Sequence, residues 1–262
     1  MIEIRDLAKS FGPLTVLDGV SLEIPDGQSV VVLGRSGTGK SVLLKLIVGL
    51  LRPDRGSIRI DGQDVNALAY GELARLRQRI GMLFQMAALF DSMTVGENVG
   101  LALREHTKRS REEIARTVKE KLEMVGLPGI EGKKPGDLSG GMRKRVGLAR
   151  AIVMDPAYVL YDEPTTGLDP ITAQQINILI RELQGKLRLT SIVVTHDLRS
   201  AKFVGDRLVL LHEGKVYFDG TPDEVERAED PIVRQFIRGE AEGPMTEMAA
   251  ARRDRRPPWR RR

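Results

Sequence analysis

The chain has 262 residues, 41% of them hydrophobic and 29% charged, which excludes a wholly disordered protein and fits one large α/β unit carrying a subdomain. No run approaches the roughly 18 apolar residues of a membrane span, the opening MIEIRDLAKSF lacks the regions of a secretory signal, and the absence of cysteine excludes disulfides, thiolate metal sites and a cysteine nucleophile, as expected for a reducing cytoplasm. The formal net charge is +5, but residues 251–262 hold seven Arg and one Asp, or +6, which leaves −1 on residues 1–250; the basicity belongs to a tail, and no nucleic-acid partner is expected.

Residues 2–7 and 16–24 read as short strands, the second alternating through Val20, Leu22 and Ile24. The β-branched run QSVVVL at 28–33 is expected to be a strand buried on both faces. A glycine-rich turn, a helix over 41–50 and a further strand at 57–60 follow. From about residue 94 to 154 the pattern is mostly helical. There Ile114, Val118, Leu122 and Val125 make one apolar stripe on a highly charged helix. Strand character returns at 158–161, 191–195 and 208–211, with a helix face formed by Ile176, Leu179, Ile180 and Leu183 between the first two. Strands alternating with helices predict a mostly parallel α/β sheet, into which the helical middle is inserted.

GRSGTGKS at residues 34–41 matches G-x-x-x-x-G-K-[ST] and lies between a buried strand and a helix, the context that a phosphate-binding loop requires. The loop comprises Gly34, Arg35, Ser36, Gly37, Thr38, Gly39, Lys40 and Ser41. Its glycines let backbone N–H groups converge on phosphate oxygens at a helix N-terminus. Lys40 is expected to reach the β- and γ-phosphates of ATP, and the Ser41 hydroxyl to bind Mg²⁺. AYVLYDEP ends an apolar strand in two carboxylates. Asp162 is placed to hold the metal, and Glu163 to act as general base toward the attacking water. LSGGM at 138–142 opens a helix rich in Arg and Lys. Ser139 can cap that helix, while Gly140 and Gly141 expose N–H groups to an anion, so a phosphate contact from a second copy stays open beside a plain turn.

The order GRSGTGKS, Gln85, LSGGM, YVLYDEP, GLDP and Thr195-His196-Asp197 resembles the ATP-binding-cassette ATPases over about residues 1–220. The resemblance implies a P-loop core with an antiparallel β part at the N-terminus and a helical subdomain over about 86–155. It further implies that Phe11 stacks on adenine, that Gln85 senses Mg²⁺ and the lytic water, that Asp169 lies in a loop crossing a dimer interface, and that His196 contacts the γ-phosphate. The family pairs head to tail, with ATP between the P-loop of one copy and Ser139, Gly140 and Gly141 of the other. Met142 stands where most members carry Gln. With LFQMAALFDSMTVGENV at 83–99 and LREHT at 103–107, it narrows the resemblance to ATPases of bacterial phospholipid transport systems. The implied partners are a second copy, an integral-membrane permease, and MCE-domain and STAS-domain proteins at the cytoplasmic face of the inner membrane. A small-solute importer ATPase and a soluble non-transport ATPase are the rival readings. The coiled coils, zinc-binding cysteines or second cassette expected of the latter are absent from the sequence.

His106 and His212 read as structural residues. Leu89, Phe90 and Met93 read either as subdomain core or as a groove for a helix of the membrane partner. The cassette domain is expected to span 1–240, with 241–262 as an extension. Ile232, Val233, Phe236 and Ile237 gather on one face of a short helix entered through Pro231 and ended by Gly239. That face is expected to pack on a second copy or a STAS-type partner, with docking on the chain's own core as the alternative. The tail ARRDRRPPWRRR is expected to be disordered, with attraction to anionic lipid as its functional reading.

Overall fold

The computed structural model describes residues 1–246. The expectations for the Arg-rich tail fall outside the described residues. In chain order the elements are β1 (Ile2–Phe11), β2 (Leu14–Ile24), β3 (Ser29–Leu33), α1 (Lys40–Ile47), β4 (Arg55–Ile60), β5 (Gln63–Asp64), α2 (Tyr70–Gln78), β6 (Ile80–Leu83), α3 (Val95–His106), α4 (Arg111–Met124), α5 (Gly140–Ile152) and β7 (Tyr158–Asp162). They continue with α6 (Pro170–Leu187), β8 (Thr190–Thr195), α7 (Leu198–Val204), β9 (Arg207–His212), β10 (Lys215–Gly220), α8 (Pro222–Arg227) and α9 (Pro231–Arg238).

Two sheets result. β2-β1-β4-β5 is antiparallel, as expected for the N-terminal part. β10-β9-β3-β8-β7-β6 is parallel apart from β10, which closes one edge antiparallel to β9. The alternation of side chains along the central strands divides the core. Val30 and Val32 of β3, Tyr158 and Leu160 of β7 and Ile192 and Val194 of β8 face α1 and the antiparallel sheet. Val31, Leu33, Val159, Tyr161 and Val193 face the opposite layer, which contains α5, α6 and α7. A strand covered on both faces is mostly apolar, and every residue of β3 and β8 is buried, with residues 30–33 and 192–194 making the continuous apolar runs.

The helical middle forms as α3, α4 and α5, with Val118, Leu122 and Val125 buried along the expected stripe. Thr94 with Glu97 and Ser110 with Glu113 start α3 and α4 by reciprocal capping. The first helix is shorter than expected, because Gly49 turns left-handed at φ 67° and stops the helical ladder. β6 escapes the sequence pattern because Gly81 interrupts its four residues; a Cβ there would lie 2.1 Å from the Ala151 carbonyl oxygen, so only glycine lets α5 close on this strand.

The C-terminal helix follows the alternative reading, docking on the chain's own core. α9 begins at Pro231, behind Asp230 as N-cap, and ends at left-handed Gly239, as expected. Its apolar face, however, packs on the chain's own core. Ile232 and Val233 are buried, and Phe236 and Ile237 pack against the cluster that also holds Val225. Burial within the same chain needs no association, so it satisfies these side chains first. Packing also continues beyond residue 240. The Gln235 side chain accepts from the Met245 N–H at 2.7 Å, and the Arg35 guanidinium donates to the Met245 carbonyl at 3.3 Å.

Candidate active site

β3, β8 and β7 end side by side, with Leu33 in register with Thr195 and Asp162 with Val194. The segments leaving these carboxyl ends therefore share one crevice, the usual ligand position in open α/β sheets. The loop after β3 turns into α1 at Gly39, whose φ of 97° suits only glycine and whose Cβ would lie 2.8 Å from Val16 Cγ1. Lys40 is folded against this loop, donating to the carbonyls of Gly34 at 2.7 Å and Arg35 at 3.1 Å. Burial pushes its ammonium below the usual lysine range, with Glu163, 3.6 Å away, opposing that shift.

The Ser41 hydroxyl donates to Asp162 Oδ1 at 2.8 Å. Burial pushes the Asp162 carboxyl up, against the hydrogen bond from Ser41. Glu163 takes a left-handed backbone conformation at φ 48°, which a non-glycine residue holds only when its surroundings dictate it. Those surroundings are explicit. Its N–H donates to the Val194 carbonyl at 2.9 Å, and its carboxylate accepts from Thr166 at 3.0 Å and Thr195 at 3.3 Å. His196 Nδ1 lies 2.9 Å from Glu163 Oε2. A cleft of 490 Å³ is lined by Phe11, Ser36, Gly37, Gly39, Lys40, Ser41, Gln85, Glu163 and His196, with Phe11 half-exposed on the rim.

Among the described residues no group of three or more His, Cys, Asp or Glu side chains could hold a metal. The Ser41–Asp162 pair instead offers hard oxygen donors at one point of the crevice. That set fits Mg²⁺, which keeps several waters and binds through one or two protein oxygens together with substrate phosphates. Ser139, Gly140, Gly141 and Asp169 do not line this cleft. Ser139 caps α5 by accepting from the Met142 N–H at 3.2 Å, and Asp169 caps α6. Gly141 abuts Thr172, whose Cγ2 would lie 2.6 Å from an added Cβ.

Several site residues had no separate signal in the sequence. Thr166 and Thr195 hold the Glu163 carboxylate, yet Thr166 reads as an ordinary loop threonine and Thr195 stands out only as the first residue of Thr195-His196-Asp197, with no role of its own. Lys144 merged into the charged face of its helix. It is buried, donates to the carbonyls of Gln85 at 2.5 Å and Glu163 at 3.1 Å, and burial pushes its ammonium down to about 8. Away from the cleft, His212 is buried at the end of β9, edge-on to Tyr217. His106 lines a groove of 310 Å³ with Tyr70, Met82 and Arg150. Of Leu89, Phe90 and Met93, Leu89 joins the core, Met93 is half-buried and Phe90 is exposed, as is the nearby Met86.

Comparison with known proteins agrees with this geometry. The family model "ABC transporter" matches residues 17–166. The chain is 46% identical over 244 residues to "Probable ribonucleotide transport ATP-binding protein mkl" of Mycobacterium leprae, covering 93% of this chain and 70% of that protein. It is 40% identical over 245 residues to "Intermembrane phospholipid transport system ATP-binding protein MlaF" of Escherichia coli K12, covering 94% and 91%. The dimeric post-hydrolysis ATP-binding cassette MJ0796 bound to ADP and Pi superimposes with a TM-score of 0.78 at 35% identity, covering 85% of this chain and 99% of that one. Among the described residues no helix is long and apolar enough to cross a membrane. The chain belongs to the ABC transporter family, as an ATP-hydrolysing subunit.

Proposed function

We propose that this chain powers phospholipid transport between bacterial membranes, acting as a paired, peripheral subunit on the cytoplasmic face of the inner membrane. The observation that carries the catalytic part is the convergence of Lys40, Ser41, Asp162, Glu163 and His196 at neighbouring strand ends. The reaction is ATP plus water giving ADP and phosphate. Water attacks the γ-phosphorus, the bond to the β,γ-bridging oxygen breaks, and Glu163 takes the proton from the water. Backbone N–H groups from Gly34, Arg35, Ser36, Gly37, Thr38 and Gly39, with the Lys40 ammonium, neutralise the phosphate charge, which is most of what phosphoryl transfer needs. Lys40 would exchange its loop carbonyls for phosphate oxygens. Ser41, Asp162 and Gln85 would hold Mg²⁺, which when bound offsets charge on the β- and γ-phosphates. His196, held by Glu163, would contact the γ-phosphate, and Phe11 would stack on adenine.

Ser139, Gly140 and Gly141 would complete the site of a second copy, with Asp169 at the crossing loop. Their position outside the chain's own cleft supports this reading, as does the dimeric state of the related cassette. The cassette would span residues 1–240, with its helical subdomain over about 86–155. The exposed Tyr70, Met86 and Phe90 would meet a helix of the permease. Similarity to MlaF favours phospholipid as cargo, with MCE-domain and STAS-domain proteins in the same complex. A small polar cargo is the second reading, favoured by the name of the mkl relative.

Two experiments test these readings. Mixing Lys40→Ala chains with Ser139→Arg chains should restore ATP hydrolysis above either parent, through one intact shared site; no gain refutes pairing. Purifying the complex with its native permease should bring down MCE-domain and STAS-domain proteins, and the reconstituted complex should move labelled phospholipid with ATP. A permease accompanied by a solute-binding protein, without lipid movement, refutes the cargo.

A further inference from the structure

α5 grips the loop that carries Gln85 at more than one point. Lys144 Nζ donates to the Gln85 carbonyl, and Arg150 donates to the carbonyls of Ala87 at 2.5 Å and Ala88 at 2.8 Å. Ala87 and Ala88 are consecutive left-handed residues, at φ 60° and 48°, a conformation that alanine does not hold unaided. Gly147 lets the same helix close on the loop, since a Cβ there would lie 2.6 Å from Leu83 Cδ1. Lys144 alone of these side chains also donates to the Glu163 carbonyl, at 3.1 Å. It thus bridges the backbones of two residues from different parts of the fold, one at the end of β6 and one at the end of β7. An ammonium has three donors and no acceptor, and this one is 5% exposed. Its removal would take this donor from the Gln85 carbonyl, leave the Glu163 carbonyl with the Thr166 N–H at 3.3 Å, and release Gln85 and Glu163 from each other.

We infer that Lys144 is a positioning residue that sets Gln85 and Glu163 in its own chain, while the N-terminal tip of the same helix serves the other copy. The second half rests on the paired-site reading above. The assignment gives each end of α5 a separate duty. Ser139, Gly140 and Gly141 lie in the helix's first turn, and Lys144 lies one turn further on, facing inward. Neither carbonyl bonded by Lys144 is itself a reacting group. Its effect must therefore fall on the placement of Gln85 and Glu163 and so on kcat, with ATP binding by the P-loop left in place.

The test uses the full chain. Lys144→Met should lower kcat about 10²-fold, the cost of a small misplacement at a reacting centre, with the affinity for ATP close to that of the parent. Lys144→Arg, which keeps the donors, should regain most of that rate. If the Met variant does not fold, Lys144→Gln, which retains a shorter donor, should show the same split between kcat and ATP affinity. Differently tagged chains then separate action within a chain from action across the pair. Lys144→Met paired with Ser139→Arg should hydrolyse ATP, because the second chain keeps its own Lys144 and receives an intact Ser139. Lys144→Met paired with Lys40→Ala should not. Unchanged kcat, an equal loss of ATP affinity, or equal activity of the two pairs overturns the assignment. Lys40→Ala paired with Ser139→Arg is the control; if it gains nothing, the paired-site reading fails, and the kcat split with the Arg rescue still decides Lys144.

Discussion

Glu163→Gln should abolish turnover and spare nucleotide binding. The amide has the size of the carboxylate and keeps one oxygen to accept from Thr166, now at 3.0 Å, and Thr195, at 3.3 Å. The left-handed backbone is fixed by the Glu163 N–H on Val194 and is not changed by the substitution. Lys40 loses its contact at 3.6 Å but retains the carbonyls of Gly34 and Arg35, so it is not left as an unpaired buried charge. What disappears is the group that takes the proton from water. General base catalysis is worth roughly 10²–10⁴-fold, or about 2.7–5.5 kcal/mol of barrier at about 1.36 kcal/mol per decade. Phosphate release under steady-state conditions should fall by that factor, while equilibrium binding of ATP stays at the parental level. Turnover above a tenth of the parental rate would refute Glu163 as the base, and a parallel loss of binding would show that the variant disturbs the phosphate loop instead.

Lys40→Ala should act on binding: losing hydrogen bonds from a charged donor, worth roughly 1.5–3 kcal/mol, should weaken ATP affinity about 10–10²-fold, and unchanged affinity in an equilibrium titration would count against the P-loop assignment. Asp206→Asn tests a structural carboxylate that accepts from the Ser29 N–H, Arg181 and Gln184 at 2.8, 2.8 and 3.2 Å. Burial pushes this carboxyl up, but those donors more than offset it and hold it below the usual range, so its stabilisation is present above the unfolded value of about 3.9 and is lost as pH falls through the lower folded value. At pH 7 the variant should be less stable by about 1.5 kcal/mol, the low end for a charged acceptor that is a third exposed, and the difference should vanish in acid; equal thermal midpoints at pH 7 would refute this.

Much of the fold was legible because its signals are local. β3, β7 and β8 are buried along their whole length and apolar at their centres since both faces are covered, and GRSGTGKS and YDEP sit at strand ends where topology brings segments together. The Ser41–Asp162 contact spans 121 residues, yet each partner announced itself through its own motif. The unread parts depend on contacts with no local signature. β6 is held by Gly81 against Ala151, Thr166 acts through Glu163, and Lys144 is hidden in a run of basic residues.

The C-terminal segment shows what periodicity leaves open. The periodicity of Ile232, Val233, Phe236 and Ile237 correctly gives an amphipathic helix, but periodicity names a buried face and not what buries it. Here the cover is the chain itself, reinforced by Gln235 on the Met245 N–H and by Arg35 on the Met245 carbonyl. That choice has a measurable consequence. Ending the chain after Asp230 removes Ile232 and Val233 from the core, at roughly 1.5–3 kcal/mol for each. The isolated truncated chain should therefore melt well below the full chain, by a margin that does not change with protein concentration. A cover supplied by a second copy would instead make the margin grow with concentration, because only the full chain would gain from association. An unchanged midpoint would show that α9 contributes nothing to the core on which it lies, and a concentration-dependent margin would return the helix to the interface.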